Sequence, residues 1–331
     1  MMTVNAGFIG CGRMASIHAE ALNSIGGVKI AGVYDIDMPK AEAFAKKFKA
    51  EKVCSSRAEL LARCGVDLLL ICDYGHQHAE ELHTAMDAGI RSIFCEKPVI
   101  RKWEEAAPLL EKQKKTSSLI AVGHVRRVFA QQLKMKELLD SGVLGRIHFC
   151  RIQSCNSGFA RLWGDYFASF ELSGGTALDM GTHFADMLNW FFGCPEGAQG
   201  IVSGLENRLS PQELPCDYFS GNIVYPGGIV CGLDISYQRY GIGRCYMEIY
   251  GENGTLVCDG SEVKIFARGS ETKYAVPARN SNEVQMAAIL KMTTERIPPP
   301  CTLKDGILAA GTILAMMDLK NRRTDFLKEI L

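Results

Sequence analysis

Between residues 7 and 122 the chain alternates short apolar runs with stretches of helical spacing. No other feature narrows the possible folds as much. The apolar runs fall at 7–9, 28–34, 67–72, 91–95 and 119–122, and the helical patterns at 14–24, 39–49, 57–63, 78–88 and 103–114. Strands separated by helices build right-handed βαβ units and a parallel, doubly wound sheet. The run LLLIC at 68–72 is apolar throughout, as a strand buried on both faces requires.

Past residue 125 the rhythm changes. One helix is expected at 131–141, ended by Gly142, and then strand-like segments at 146–154, 199–206, 218–225, 228–237, 244–250 and 262–267. Pro226-Gly227-Gly228 and Glu252-Asn253-Gly254 mark tight turns, so this sheet is read as mainly antiparallel and open. Helices at 282–294 and 303–320 close the chain. The pattern predicts an α/β domain over 1–123 and an α+β domain over 124–331, with the C-terminal helix packing back on the first.

Thirty-seven acidic residues balance 37 basic ones in 331, so no global charge recruits nucleic acid or an anionic membrane. No apolar stretch approaches the roughly 20 residues that span a bilayer, and the N-terminus enters a strand without a signal-like segment. Thirteen cysteines, with no CxxC pair, read as reduced thiols packed as small hydrophobes. A cytoplasmic protein without disulfides or a bound metal is expected.

The first strand runs into Gly10-Cys11-Gly12-Arg13-Met14-Ala15, a GxGxxA that opens a helix. Gly10 permits a tight turn, Gly12 lets the backbone approach a pyrophosphate, and Ala15 allows close helix–strand packing. The helix N-terminus then offers N–H groups and a positive dipole end to phosphates. Strand two ends on Asp35, about 20 residues on, where a Rossmann fold places its ribose-binding carboxylate. A carboxylate accepts from the ribose hydroxyls of NAD and repels the 2′-phosphate of NADP. No Lys or Arg occupies 36–38 to receive that phosphate, so NAD is preferred. The competing reading of Asp35 is a cap for the following helix.

Residues 173–191 read SGGTALDMGTHFADMLNWF. At 100° per residue Asp179, His183 and Asp186 fall within roughly 60° on one helical face. An Asp four residues before a His can hold one imidazole nitrogen and leave the other to exchange a proton, the arrangement of an oriented general base. The alternatives are an ordinary Asp–His pair on a solvated face and a metal site, which would need a further ligand from elsewhere. Gly181 between them suggests that something packs close.

A further stretch, SIFCEKPVI at 92–100, ends a strand abruptly on a carboxylate, an ammonium and a proline. With GFIGCGRMA, VYDID, VGHVRRVFA, LLDSGVLGRIHF, GGTALDMGTHFADMLNW and IYGENGTL, it makes the whole chain resemble the glucose–fructose oxidoreductase, inositol dehydrogenase and rhizopine-catabolism (Gfo/Idh/MocA) oxidoreductases. The resemblance implies that Lys97 is the family's EKP lysine, at the carboxyl end of a parallel strand, with a cis peptide bond at Pro98. Asp179 and His183 match its catalytic pair, and Glu96 would position the lysine or the nicotinamide ribose. The expected cofactor contacts are Gly10, Gly12, Arg13, Met14, Asp35, Cys72, Asp73, His76, Glu96 and Lys97. Cys72-Asp73-Tyr74-Gly75-His76 departs from the family, which usually has a Thr-Pro or Asn-Pro turn there.

The implied activity is oxidation of a secondary alcohol on a cyclic polyol or sugar, by hydride transfer to the nicotinamide of NAD. His183 would take the hydroxyl proton, Asp179 would orient its ring, and Lys97 would stabilise the developing alkoxide. Lys97 acting as the base is the alternative. His124, Arg127, Trp163, Tyr166 and Asp186 are expected substrate contacts; Arg127 could equally be a domain-bridging ion pair. Two rival functions are a redox-neutral enzyme retaining its NAD and a non-catalytic dinucleotide or sugar sensor. Apolar alternation on both faces of GLDISYQRY and RCYMEIYG points to a homodimer or homotetramer through the second sheet.

Overall fold

The computed structural model describes residues 3–157, 170–203, 217–238, 243–260 and 262–318. Two compact units divide the chain, Met1–Phe129 with Ala278–Ile307, and Ala130–Pro277 with Leu308–Leu331. The boundary expected at 123/124 gave everything after it to one domain. Instead the segment 278–307 belongs to the first unit. Helical spacing shows that such a segment is buried on one side, but not which sheet it covers.

The first unit is built from β1 (Val4–Ile9), α1 (Arg13–Ile25), β2 (Val28–Tyr34), α2 (Met38–Phe48), α3 (Arg57–Arg63), β3 (Leu68–Ile71), α4 (His78–Asp87), β4 (Ser92–Cys95), α5 (Ala106–Lys115) and β5 (Leu119–Val122). The five strands run parallel in the order β2-β1-β3-β4-β5. Every residue of β3 and β4 is buried, as strands covered on both faces must be. Local chemistry sets where helices begin. Asp37 accepts the Lys40 N–H to cap α2, with Pro39 in its first turn, and Ser56 accepts the Glu59 N–H to cap α3.

The returning helix α8 (Ser281–Glu295; α6 and α7 belong to the second unit) lies against α1. Its Met286, Ile289 and Met292 join Ala15, Ala19, Leu22 and Phe94 in one apolar cluster. The strand order reverses at β1 and β3, so a ligand is expected outside the carboxyl ends of those strands.

The second unit starts with α6 (Ala130–Asp140) and β6 (Ile147–Ser157). A π-helical turn (Ala177–Gly181) then leads into α7 (Thr182–Phe192). Seven strands follow: β7 (Gly197–Ser203), β8 (Tyr218–Tyr225), β9 (Ile229–Gln238), β10 (Arg244–Gly251), β11 (Gly254–Asp259), β12 (Glu262–Ala267) and β13 (Ser270–Tyr274). The eight-stranded sheet has the order β13-β12-β11-β10-β6-β9-β8-β7 and is antiparallel except for the β6–β9 pair. β11 and β13 were not anticipated from the sequence. Tight turns at Glu252-Asn253 and Arg268-Gly269 hide them inside what reads as one irregular stretch.

One face of this sheet packs on Phe184, Met187 and Leu188 of α7 and on Ile313 and Met316 of α9 (Leu303–Met317). Along β9, Cys231, Leu233 and Ile235 are fully buried while Val230 and Asp234 are exposed, the alternation of a sheet covered on one side. None of the described helices is long and apolar enough to cross a membrane.

Candidate active site

Gly10 takes φ +84°, and a Cβ there would sit 2.6 Å from the Asp73 backbone nitrogen, so no other residue fits. Gly12 differs: a Cβ would meet nothing within 4 Å, so the loop presents bare backbone to open space. α1 begins immediately after Gly12, and no side chain caps it. Its first amides therefore lack intrahelical acceptors and suit a diphosphate. Asp35 stands at the end of β2 with Oδ2 accepting the Cys11 N–H (2.7 Å) and Oδ1 the Asp37 N–H (2.8 Å). That fixes the carboxylate beside the loop with lone pairs left for ribose hydroxyls. These features fit NAD. Arg13 is exposed and Met14 half-buried on the first turn. The Cys11 thiol is pushed up to about 12 by burial and by Asp35, which makes it inert at neutral pH.

At the end of β4 the Lys97–Pro98 peptide bond is cis. Glu96 is buried, with Oε1 2.7 Å from His18 Nε2 and Oε2 accepting the Lys97 backbone N–H at 3.2 Å. Burial alone would raise its pKa. The His18 hydrogen bond and the charges of His18, Lys97 and His78 outweigh that and hold it below the usual glutamate value. Gly123 makes room, since a Cβ there would lie 2.8 Å from Glu96 Oε2. Lys97 itself is half-buried.

The segment after β3 closes against the same corner. A Cβ on Gly75 would stand 3.0 Å from Pro98 Cδ, and His78 Nδ1 lies 2.8 Å from the Pro98 carbonyl oxygen. Cys72 is buried and its thiol is pushed well up by burial. The Asp73 carboxyl is raised to about 8 by burial and by Glu81. Tyr74 and His76, both exposed, stack with ring centroids 6.0 Å apart.

In the second unit Asp179 lies in the π-helical turn, while His183 and Asp186 lie on α7. All three are buried, with Asp186 fully enclosed. The π turn alters the 100° step assumed from the sequence, and such turns recur at functional sites. Tyr237, 4% exposed on β9, donates its hydroxyl proton to Asp179 Oδ2. Its register partner on β6 is Asn156, whose Nδ2 is buried and has no hydrogen-bond partner among the described residues. A carboxylate oriented by a phenol, with an imidazole four residues on, can hold and exchange a proton. Gly181 answers a packing demand: a Cβ there would lie 3.1 Å from Ile313 Cδ1 and 3.7 Å from Phe219.

Of the expected substrate contacts, His124 is buried, with its backbone N–H bonded to the Val122 carbonyl. Arg127 donates to the Pro300 carbonyl (2.9 Å) and pairs with Asp305 (3.3 Å), both within the first unit. Trp163 and Tyr166 lie outside the described residues. Sequence reasoning missed Tyr237 and Asn156, because neighbours across a sheet carry no local signal. It also missed His18 as the partner of Glu96. A signal existed there: His18 falls on the Ala15–Ala19–Leu22 stripe of α1, which faces the sheet.

Comparison with known proteins shows the family. Residues 4–124 match the model of the oxidoreductase family with an NAD-binding Rossmann fold, and residues 132–257 that of the GFO/IDH/MocA C-terminal domain. A myo-inositol 2-dehydrogenase from Thermotoga maritima is 31% identical over 98% of this chain and 99% of its own. An uncharacterized oxidoreductase, YrbE, from Bacillus subtilis is 26% identical over 93% of this chain and 91% of its own. The fold is shared with the WlbA dehydrogenase of Bordetella pertussis, solved with NADH and UDP-GlcNAcA, at a TM-score of 0.84 and 18% identity, covering 95% of this chain and 94% of that one. By these matches the chain belongs to the GFO/IDH/MocA family of NAD-binding oxidoreductases and is a dehydrogenase acting on CH–OH groups.

Proposed function

We propose that the protein oxidises a secondary alcohol of a neutral cyclic polyol or sugar to the ketone. The observation that carries this reading is the buried Tyr237–Asp179 hydrogen bond with His183 four residues further on. The phenol fixes the carboxylate, and the carboxylate orients the imidazole to accept the hydroxyl proton. Lys97 donates a hydrogen bond to the oxygen as negative charge develops on it. Glu96 acts from below, setting the Lys97 backbone through its N–H. NAD, when bound, supplies the acceptor for the two electrons and the hydrogen of the C–H bond. Arg13, Met14, Cys72, Asp73 and His76 complete its expected surroundings, and Asp186 and His124 line the substrate. The similarity to a myo-inositol 2-dehydrogenase supports a polyol over an aliphatic alcohol.

The test is NADH formation across a panel of inositols, aldoses and simple glycosides, with NAD⁺ and NADP⁺ side by side and Lys97→Ala as the blank. NAD-dependent turnover of a ring alcohol, absent in the variant, is the expected result. Turnover only of acyclic alcohols, or equal turnover by the variant, would overturn the reading.

We also infer a homodimer or homotetramer through the face of the second sheet that points away from α7 and α9 among the described residues. Phe149 and Tyr250 stack there at 4.1 Å, flanked by Arg151, Glu248 and Tyr246. Sedimentation giving a monomer mass at all concentrations would remove this inference.

A further inference from the structure

A chain of hydrogen bonds crosses the apolar layer between α7 and the sheet that it covers. Tyr225 on β8 donates its hydroxyl proton to Asn189 Oδ1 on α7 (2.8 Å), and Asn189 Nδ2 donates to Thr312 Oγ1 on α9 (3.3 Å). The Thr312 hydroxyl in turn donates to the Leu308 carbonyl of its own helix (2.8 Å). Tyr225 is fully buried, Thr312 is 4% exposed and Asn189 7%. Each role in the chain is forced. The Leu308 carbonyl only accepts, so the Thr312 proton points there and its oxygen is left to accept from the Asn189 amide. Asn189 then turns its own carbonyl oxygen to the phenol. Burial pushes the Tyr225 hydroxyl well up from its ordinary pKa, so it stays a donor.

Around these groups Phe184, Met187 and Leu188 of α7 and Ile313 and Met316 of α9 pack by apolar contact. Such contacts are non-directional and tolerate a helix that slides or turns. A buried amide bonded on both sides admits one setting. Rotation matters because of what precedes α7. Asp179 lies in the π turn Ala177–Gly181 and is held there by Tyr237 of β9. Within the same turn the Leu178 carbonyl accepts the Thr182 hydroxyl (2.8 Å). A π turn holds one residue more than an α turn. Its reversion to regular helix would rotate α7, and His183 with it, by about 100° against Asp179. Holding the turn therefore takes a fixed point on each side of it: Tyr237 supplies one through Asp179, and α7 needs the other.

We propose that Asn189 is a positioning residue for the oxidation: braced by Tyr225 and Thr312, it fixes the rotation of α7 that maintains the π turn and sets His183 against Asp179. The proposal rests on the reading of Asp179 and His183 as the pair that handles the proton.

The test replaces the whole chain of polar groups by apolar ones of similar shape, Asn189→Leu with Tyr225→Phe and Thr312→Val in the full protein. Removing the partners together leaves none of them buried and unsatisfied, so the melting temperature should stay close to that of the wild type. Amide hydrogen exchange at residues 177–183 should nevertheless quicken about tenfold, with exchange in β8 and β9 unchanged. With whichever ring alcohol the wild type turns over, kcat should fall at least about tenfold and KM change less than about twofold. A purely structural role would move neither reading once stability is restored. Exchange at 177–183 equal to that of the wild type, or quickened exchange with kcat unchanged, overturns the proposal. Tyr225→Phe alone, which keeps the ring and its packing on Phe192 (centroids 5.6 Å apart), gives the same two readings if the triple variant does not fold. The exchange measurement needs no substrate, so it decides the brace even where no ring alcohol is oxidised, and that second result counts against the alcohol-oxidation reading alone.

Discussion

Replacing His18 by Leu should destabilise the protein by an amount that grows with pH. Leu is close to His in volume, so the packing on Phe94 (ring centroids 4.8 Å apart, edge-on) is partly kept, and its loss costs about 1 kcal/mol at every pH. The hydrogen bond to Glu96 is different. It is charge-assisted, 2.7 Å long and buried, the class worth about 1.5–3 kcal/mol. In the wild type the folded Glu96 pKa lies below the unfolded value, so its contribution is fully present above that value and is lost only as pH falls through the folded pKa. Without His18, burial is no longer offset and raises the folded pKa above the unfolded one. The variant therefore loses stability as pH rises from about 4.3, at about 1.4 kcal/mol for each unit separating the two pKa values. The gap between the two proteins should be about 2.5 kcal/mol at pH 4.5, packing plus the hydrogen bond, and wider at pH 7 by about 1.4 kcal/mol for each unit by which burial raises the folded pKa of the variant. Urea unfolding at four pH values measures it. His18→Gln, which keeps an N–H donor and has no titrating ring, should restore most of the difference. A gap for His18→Leu that is the same at every pH would refute the argument and reduce His18 to packing.

Lys97→Ala should lower kcat at least about 100-fold while NAD⁺ affinity measured by calorimetry changes little, because an oxyanion donor acts on the transition state. Asp35→Ser should weaken NAD⁺ roughly tenfold and improve NADP⁺, read as Kd for each nucleotide, since the group that repels a 2′-phosphate is gone. Tyr237→Phe removes the hydroxyl donor on Asp179 without changing the ring. It should cut kcat about tenfold and shift the acidic limb of the pH–rate profile; an unmoved profile would exclude an orienting role.

Much of the site was legible as local chemistry. Gly10 is written in the sequence because its φ of +84° and contact with Asp73 admit only glycine. Asp35 is placed by the length of one βα unit, and Lys97 by the abrupt end of an apolar strand. Asp179, His183 and Asp186 were grouped by helical spacing, although the π turn from Ala177 to Gly181 modifies the angle between them. The αβ alternation of the first 120 residues and the hairpin turns of the second half likewise specified both sheet types.

Partners distant in sequence were beyond that reading. His18 meets Glu96 across 78 residues, and Tyr237 meets Asp179 across 58. The departure at Asp73 looked like a local irregularity until α3 and α4 placed Arg57, His78 and Glu81 around it. The return of α8 to cover α1, and the parallel pairing of β6 with β9, likewise came only from the assembled fold. The physical reason is common to all of them. Backbone geometry and side-chain periodicity act over a few residues and are encoded where they act, so sequence by itself determined the elements and the residues at their ends. The protonation and orientation of a buried group depend on which dipoles and charges surround it, and only tertiary packing brings those from elsewhere in the chain.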